Sequence, residues 1–67
     1  MLDVRSGSAV VLAAFGEFPD SDENREDAVA EALRALHVYA HVYCVDMESC
    51  ERFARQAAHA EIVRAEP

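Results

Sequence analysis

The sequence of 67 residues predicts a small α/β fold of two layers, with two helices packed on one sheet. Residues 9–15 form a continuous apolar run of strand length, and residues 41–46 are rich in Val and Tyr. Each of these runs is followed by a segment with helical spacing of apolar residues. The predicted order is therefore strand, helix, strand, helix, strand, for which a two-layer α/β fold is the natural expectation.

The first predicted strand, residues 9–15, reads AVVLAAF and lies between a Ser-Gly-Ser turn at 6–8 and Gly16. A short apolar run between turn residues is typical of a strand that is buried on both faces. Residues 1–5 are predicted to pair with it through the turn, so that the sheet has three or four strands.

A first helix is predicted over residues 20–37, after a loop that contains Pro19. Asp20 or Ser21 serves as its N-cap, and Asp20 with Glu23 three residues later has the form of a capping box. The apolar residues of this segment recur at helical spacing and form one stripe: Ala28, Val29, Ala32, Leu33, Leu36 and Ala40.

The second half of the chain predicts a strand at 41–46, a helix over 48–59 and a short third strand at 61–65. Asp46 or Ser49 caps this helix. Its core-facing stripe is Cys50, Phe53, Ala54 and Ala57. Its outer face carries two ion pairs at i,i+4 spacing in the favoured orientation, Glu48–Arg52 and Glu51–Arg55.

A chain of this length forms one domain, residues 1–67, and buries only about 60% of its unfolded surface. Formation of a homo-oligomer or binding to a partner is expected to stabilise so small a domain. The predicted core consists of the larger apolar residues of all elements: Val10, Val11, Leu12, Phe15, Val29, Leu33, Leu36, Val42, Val45, Phe53 and Ile62.

The two cysteines, Cys44 and Cys50, are too few for a disulfide framework and lack CxxC spacing. Because their flanking residues read as strand and helix, both thiols are predicted to be reduced and buried. No apolar run approaches the 18 residues that a membrane span needs. These observations predict a cytoplasmic protein without a membrane partner.

The acidic residues are concentrated in one segment, which is the feature that points to a partner. Residues 17–31 hold seven of the 13 acids and one base, Arg25, so their net charge is −6 within a chain total of −7. Such a field attracts basic protein surfaces and repels nucleic acid. The predicted binding residues are Glu17, Asp20, Glu23, Glu26, Asp27 and Glu31.

Four of these acids, at positions 20, 23, 27 and 31, fall on one face of the predicted first helix. Carboxylates one or two helical turns apart bracket the phosphate spacing of a nucleic-acid strand, about 7 Å. In size, net charge and lack of enzymatic motifs the chain resembles the small acidic anti-CRISPR proteins, which share no sequence motif. That resemblance implies a non-enzymatic DNA mimic from phage that inhibits a nucleic-acid-binding complex.

Alternatives from other classes stay open. In one alternative, the chain is a structural or oligomerisation module whose acidity serves solubility or salt adaptation. In another, it binds Mg²⁺ through carboxylates that follow the two predicted strands, Glu17 and Asp20 after the first and Asp46 and Glu48 after the second. Zinc bound by His37, His41 and Cys44 is disfavoured, because the helix is predicted to end between the histidines. With no Walker A motif and no serine elbow, neither a catalytic residue nor a cofactor is predicted.

Overall fold

The computed structural model describes residues 2–66 and contains three helices. They are α1 (Arg5–Phe15), α2 (Asp22–Val42) and α3 (Met47–Ala65). No residue within 2–66 lies in a strand. The predicted α/β fold is therefore wrong, and the chain is a small all-helical domain.

The segment predicted as the first strand, residues 9–15, forms the last two turns of α1. Alanine and leucine in this run favour a helix, and no extended segment is present among the described residues to pair with it. Gly16 ends the helix in the left-handed conformation, with φ of 88°, and its N–H donates to the Leu12 carbonyl at 2.9 Å. A glycine of this kind stops a helix as well as a strand, so the boundary was predicted and the type of element was not.

The segment predicted as the second strand, residues 41–46, contains the end of α2 and its turn into α3. The Val45 N–H donates to the Ala40 carbonyl at 2.8 Å, and the Cys44 N–H donates to the His41 carbonyl at 3.5 Å. Cys44 lies at φ of 55°. These are the two hydrogen bonds and the left-handed residue of a Schellman motif. Helix α2 therefore extends to Val42, beyond its predicted end at residue 37, and the remaining Val and Tyr residues of this segment form the turn into α3.

Both long helices begin at a side-chain cap. The Ser21 hydroxyl accepts a hydrogen bond from the Asn24 N–H at 3.1 Å and starts α2, so the cap joins Ser21 to Asn24 and not Asp20 to Glu23. Asp46 accepts from the Ser49 N–H and hydroxyl at 3.3 and 2.9 Å and starts α3. Helix α3 then runs through residues 61–65, so the predicted third strand is also wrong.

Helix α1 packs closely on α2, whereas α3 makes few close contacts with either helix. The Cα radius of gyration is 13.3 Å, compared with about 11 Å for a compact domain of this length. The side chains of His37 on α2 and Glu51 on α3 contact each other and link these two helices. The chain is thus an open arrangement of helices.

The predicted core is wrong as well. Among the described residues, the buried side chains are those of Ala28, Ala32 and Ala40. Val11 and Phe15 of α1 are half-buried. The other predicted core residues remain exposed: Val10, Leu12, Val29, Leu33, Leu36, Val42, Val45, Phe53 and Ile62. Packing of α1 on α2 therefore leaves most of the larger apolar side chains in water.

Candidate protein-interaction surfaces

The predicted binding acids lie in the loop after α1 and along the first half of α2. Glu17 and Asp20 are in the loop, and the Asp20 carboxylate accepts a hydrogen bond from the Asn24 side-chain amide at 2.8 Å. The remaining predicted residues, at positions 23, 26, 27 and 31, are on α2. The structure therefore places all six in one region of the chain, although they are not equivalent.

Two acids of this region are neutralised by arginines three residues later. Asp22 contacts Arg25 at 2.8 Å, and Glu31 contacts Arg34 at 2.6 Å. The hydrogen bond and charge of Glu31 raise the pKa of the Arg34 guanidinium. Glu31 is one of the predicted binding residues, and Arg34 on the next turn offsets its charge.

The acids without an ion pair among residues 2–66 include Glu23, Glu26 and Asp27, which we call the acidic face. All three side chains are exposed. Glu23 lies in the first turn of α2, where the helix dipole stabilises a negative charge. Three neighbouring carboxylates on one rigid helix keep a negative field at this surface.

The charges of α3 are not paired as predicted. The structure forms neither Glu48–Arg52 nor Glu51–Arg55, and the Glu51 carboxylate instead lies 2.9 Å from the His37 ring nitrogen. Arg52 and Arg55 have no ion pair within the part of the chain that is described. Both ion pairs predicted for the outer face of this helix are therefore wrong.

A second surface is apolar and was missed because its residues were assigned to the core. Val29, Leu33 and Leu36 are 52%, 45% and 47% exposed. Their spacing of four and then three residues is the heptad spacing by which one helix packs along another. We call these three residues the α2 seam. Ala40, the next position, is already buried.

Further apolar side chains lie outside the seam. The rings of Tyr39 and Tyr43 lie 4.7 Å apart between centroids, with their planes tilted by 39°, and both are exposed. Phe53 of α3 is 75% exposed. An open cleft of about 710 Å³ lies between α1, α2 and the end of α3, where Val11 and Glu61 line it together with Val29 of the seam. Apolar surface is therefore distributed over all three helices.

Both cysteines are free and exposed, so the predicted burial of the thiols is wrong. Cys44 is exposed because it occupies the turn between α2 and α3 and not a strand. Cys50 lies on the stripe of α3 that was predicted to face a core, and that stripe remains in water.

The structure does not bring together the residues considered as metal ligands. Glu17 and Asp20 precede α2, whereas Asp46 and Glu48 follow it, and a helix of 21 residues separates its ends by about 30 Å. Within residues 2–66, no three His, Cys, Asp or Glu side chains are grouped so that they could hold a metal ion.

None of the three described helices is both long and apolar enough to cross a membrane. Comparison of the chain with protein-family models, with curated proteins and with solved structures yields no match. No relative therefore bears on the resemblance to anti-CRISPR proteins. The functional argument rests on the acidic face, the α2 seam and the surrounding exposed apolar residues.

Proposed function

We propose that the protein is a non-enzymatic interaction module that completes its hydrophobic core on another protein chain. The observation that carries this proposal is that only alanines are buried among the described residues, while Leu33, Leu36 and Phe53 remain exposed. Full burial of a Leu or Phe side chain contributes about 1.5–3 kcal/mol. A partner that covers these residues would supply the burial that the chain does not achieve alone.

The surface area supports the same proposal. The chain exposes 5820 Å², whereas a compact protein of 7.4 kDa exposes about 4,200 Å². The excess of about 1,600 Å² is larger than the roughly 800 Å² that each partner contributes to an interface of standard size. Leu33, Leu36 and Phe53 contribute apolar side chains to this exposed surface.

Thermal unfolding of the purified chain, followed by circular dichroism, tests this function. At low micromolar concentration we expect a broad transition and binding of the dye ANS, because the apolar side chains are accessible. A sharp transition that does not depend on protein concentration, together with no ANS binding, would show that the chain is self-sufficient and would contradict the proposal.

A second candidate function is favoured by the acidic face. Glu23, Glu26 and Asp27 lack ion pairs within the described residues, and Glu17 and Asp20 extend the negative charge into the preceding loop. A basic channel that binds nucleic acid is a complementary partner for such a surface. In this function the protein inhibits a nucleic-acid-binding complex by occupying that channel.

The proposed location for either activity is the cytoplasm. Cys44 and Cys50 are both exposed, free thiols, and thiols of this kind are typical of a reducing compartment. Retention of both thiols in protein isolated under alkylating conditions would test the location, whereas a disulfide formed in the cell would contradict it.

A further inference from the structure

We infer that the occupant of the α2 seam is a second copy of this chain, whose own α2 docks in the antiparallel orientation. This inference rests on the proposed function, since it names the partner that completes the core. Val29, Leu33 and Leu36 follow the spacing at which helices interdigitate, and each remains about half exposed. A two-fold axis near Leu33 places Leu33 against its counterpart and Val29 against Leu36.

The distribution of charge along α2 selects the antiparallel orientation. Residues 22–31 carry five acids and one base, a net charge of −4, whereas residues 32–42 carry no acid and one base, Arg34. Two parallel copies would bring the acidic halves together, and like charges repel across an interface. Antiparallel copies place each acidic half beside the half that contains Arg34, His37 and His41.

The area also fits a second copy. Each chain exposes about 1,600 Å² more than a compact protein of its mass, and this area lies within the range of about 1,000–2,500 Å² that each subunit of an obligate homodimer buries. A two-fold dimer presents the same patch on both subunits. The α2 seam is such a self-complementary patch because apolar residues meet apolar residues and each acidic half meets a half free of acids.

Sedimentation equilibrium over 1–200 µM, with ANS fluorescence measured at each concentration, tests the inference. We expect a monomer–dimer equilibrium in which ANS binding falls as the dimer forms. A monomer that binds ANS throughout would overturn the second copy as occupant and leave the proposed function in place. A monomer that unfolds cooperatively and binds no ANS would overturn both the second copy as occupant and the proposed function.

Two variants identify the surface. Leu36→Asp is expected to weaken dimerisation at least tenfold, because it places a charge in the seam. Val38→Asp is the matched control: Val38 is on the same helix and is 57% exposed, but it points away from the seam at 100° per residue, so it should change the dimer constant less than threefold. Equal effects of both variants would overturn the seam as the interface.

Cross-linking tests the orientation in a chain whose two native cysteines are replaced by serine. Leu33→Cys should form a disulfide with its own counterpart. Val29→Cys should cross-link with Leu36→Cys when the two proteins are mixed, and not with itself. Efficient self-linking of Val29→Cys would show a parallel arrangement and would overturn the antiparallel one.

Discussion

The ring nitrogen Nε2 of His37 lies 2.9 Å from the Oε1 atom of Glu51 and joins α2 to α3 across 14 positions of the sequence. The side chains of His37 and Glu51 are 55% and 38% exposed, so water screens the contact. Exposed pairs of this kind contribute about 0.2–1 kcal/mol. The orientation of α3 therefore depends on a weak link together with the turn at Cys44.

A double-mutant cycle with His37→Ala and Glu51→Ala measures this link. We expect a coupling free energy below about 1 kcal/mol, and hydrogen exchange should increase in α3 before α1. Glu48→Ala serves as the control, since Glu48 has no ion pair among the described residues. A coupling well above that range would show that α3 packs more tightly on α2 than the structure indicates.

The two glycines should respond to alanine in opposite directions. Gly16 has φ of 88°, at which a Cβ is strained, so Gly16→Ala should destabilise the chain by about 1 kcal/mol. Gly7 lies inside α1, and a Cβ there would meet no heavy atom within 4 Å, so Gly7→Ala should stabilise it by about 0.4–1 kcal/mol. Chemical denaturation measures both, and a change of the same sign at both positions would contradict the structure of α1.

The cysteines offer a similar contrast. Cys44 holds the left-handed position of the Schellman motif, where a residue other than glycine is strained by about 1–2 kcal/mol. Cys44→Gly should therefore raise the free energy of unfolding, by about 1 kcal/mol after the greater flexibility of glycine in the unfolded chain is included. Cys50→Gly makes the same substitution within α3, where glycine disfavours the helix, and should therefore lower the free energy of unfolding. Destabilisation by both substitutions would show that α2 does not end in this motif.

Because Asp46 is the N-cap of α3, we expect this helix to lose helical structure at acidic pH. Hydrogen bonds from the Ser49 hydroxyl and N–H lower the pKa of Asp46 below its ordinary value of 3.8. Because the folded-state pKa is the lower one, the stabilisation is fully present above pH 3.8 and disappears as the pH falls through the folded-state value. Asp46→Asn keeps a capping oxygen without this titration. Helicity at 222 nm should therefore fall more steeply below pH 4 in the wild type than in Asp46→Asn, and identical acid profiles would contradict the role of the cap.

The sequence predicted the end of α1 and the starts of α2 and α3, but neither the other helix ends nor the type of every element. Gly16 and Asp46 mark observed boundaries, and the start of α2 at Ser21 follows from its cap. The apolar run at 9–15 was misread because a buried strand and a helix of this length share the same composition. The predicted core was wrong for a related reason, since helical periodicity identifies an apolar stripe such as Leu33 and Leu36 but not the chain that covers it.

The acidic region is visible in the composition of residues 17–31, but its pairing required coordinates. Arg34 neutralises Glu31 at 2.6 Å, and Glu51 turns to His37 on another helix. Spacing at i,i+4 predicts which side chains are within reach and not which partner each one selects. The acidic face therefore consists of Glu23, Glu26 and Asp27, a smaller set than the sequence suggested.

Charge reversal on this acidic face tests the second candidate function. Glu26→Lys with Asp27→Lys should weaken binding to a basic partner at least tenfold, about 1.4 kcal/mol, because like charges would then face each other. Glu48→Lys with Glu66→Lys changes the net charge by the same amount on α3 and its C-cap, and it should have a much smaller effect.

Nuclease-treated pull-downs at low and high salt, quantified by mass spectrometry, compare the wild type with both variants. A partner of the acidic face should be lost in the first variant and at high salt, since screening acts beyond about 8–10 Å near physiological ionic strength. If both variants, still helical by circular dichroism, retain the same partners as the wild type, the carboxylates of α2 form only a solvated surface and this candidate function is wrong.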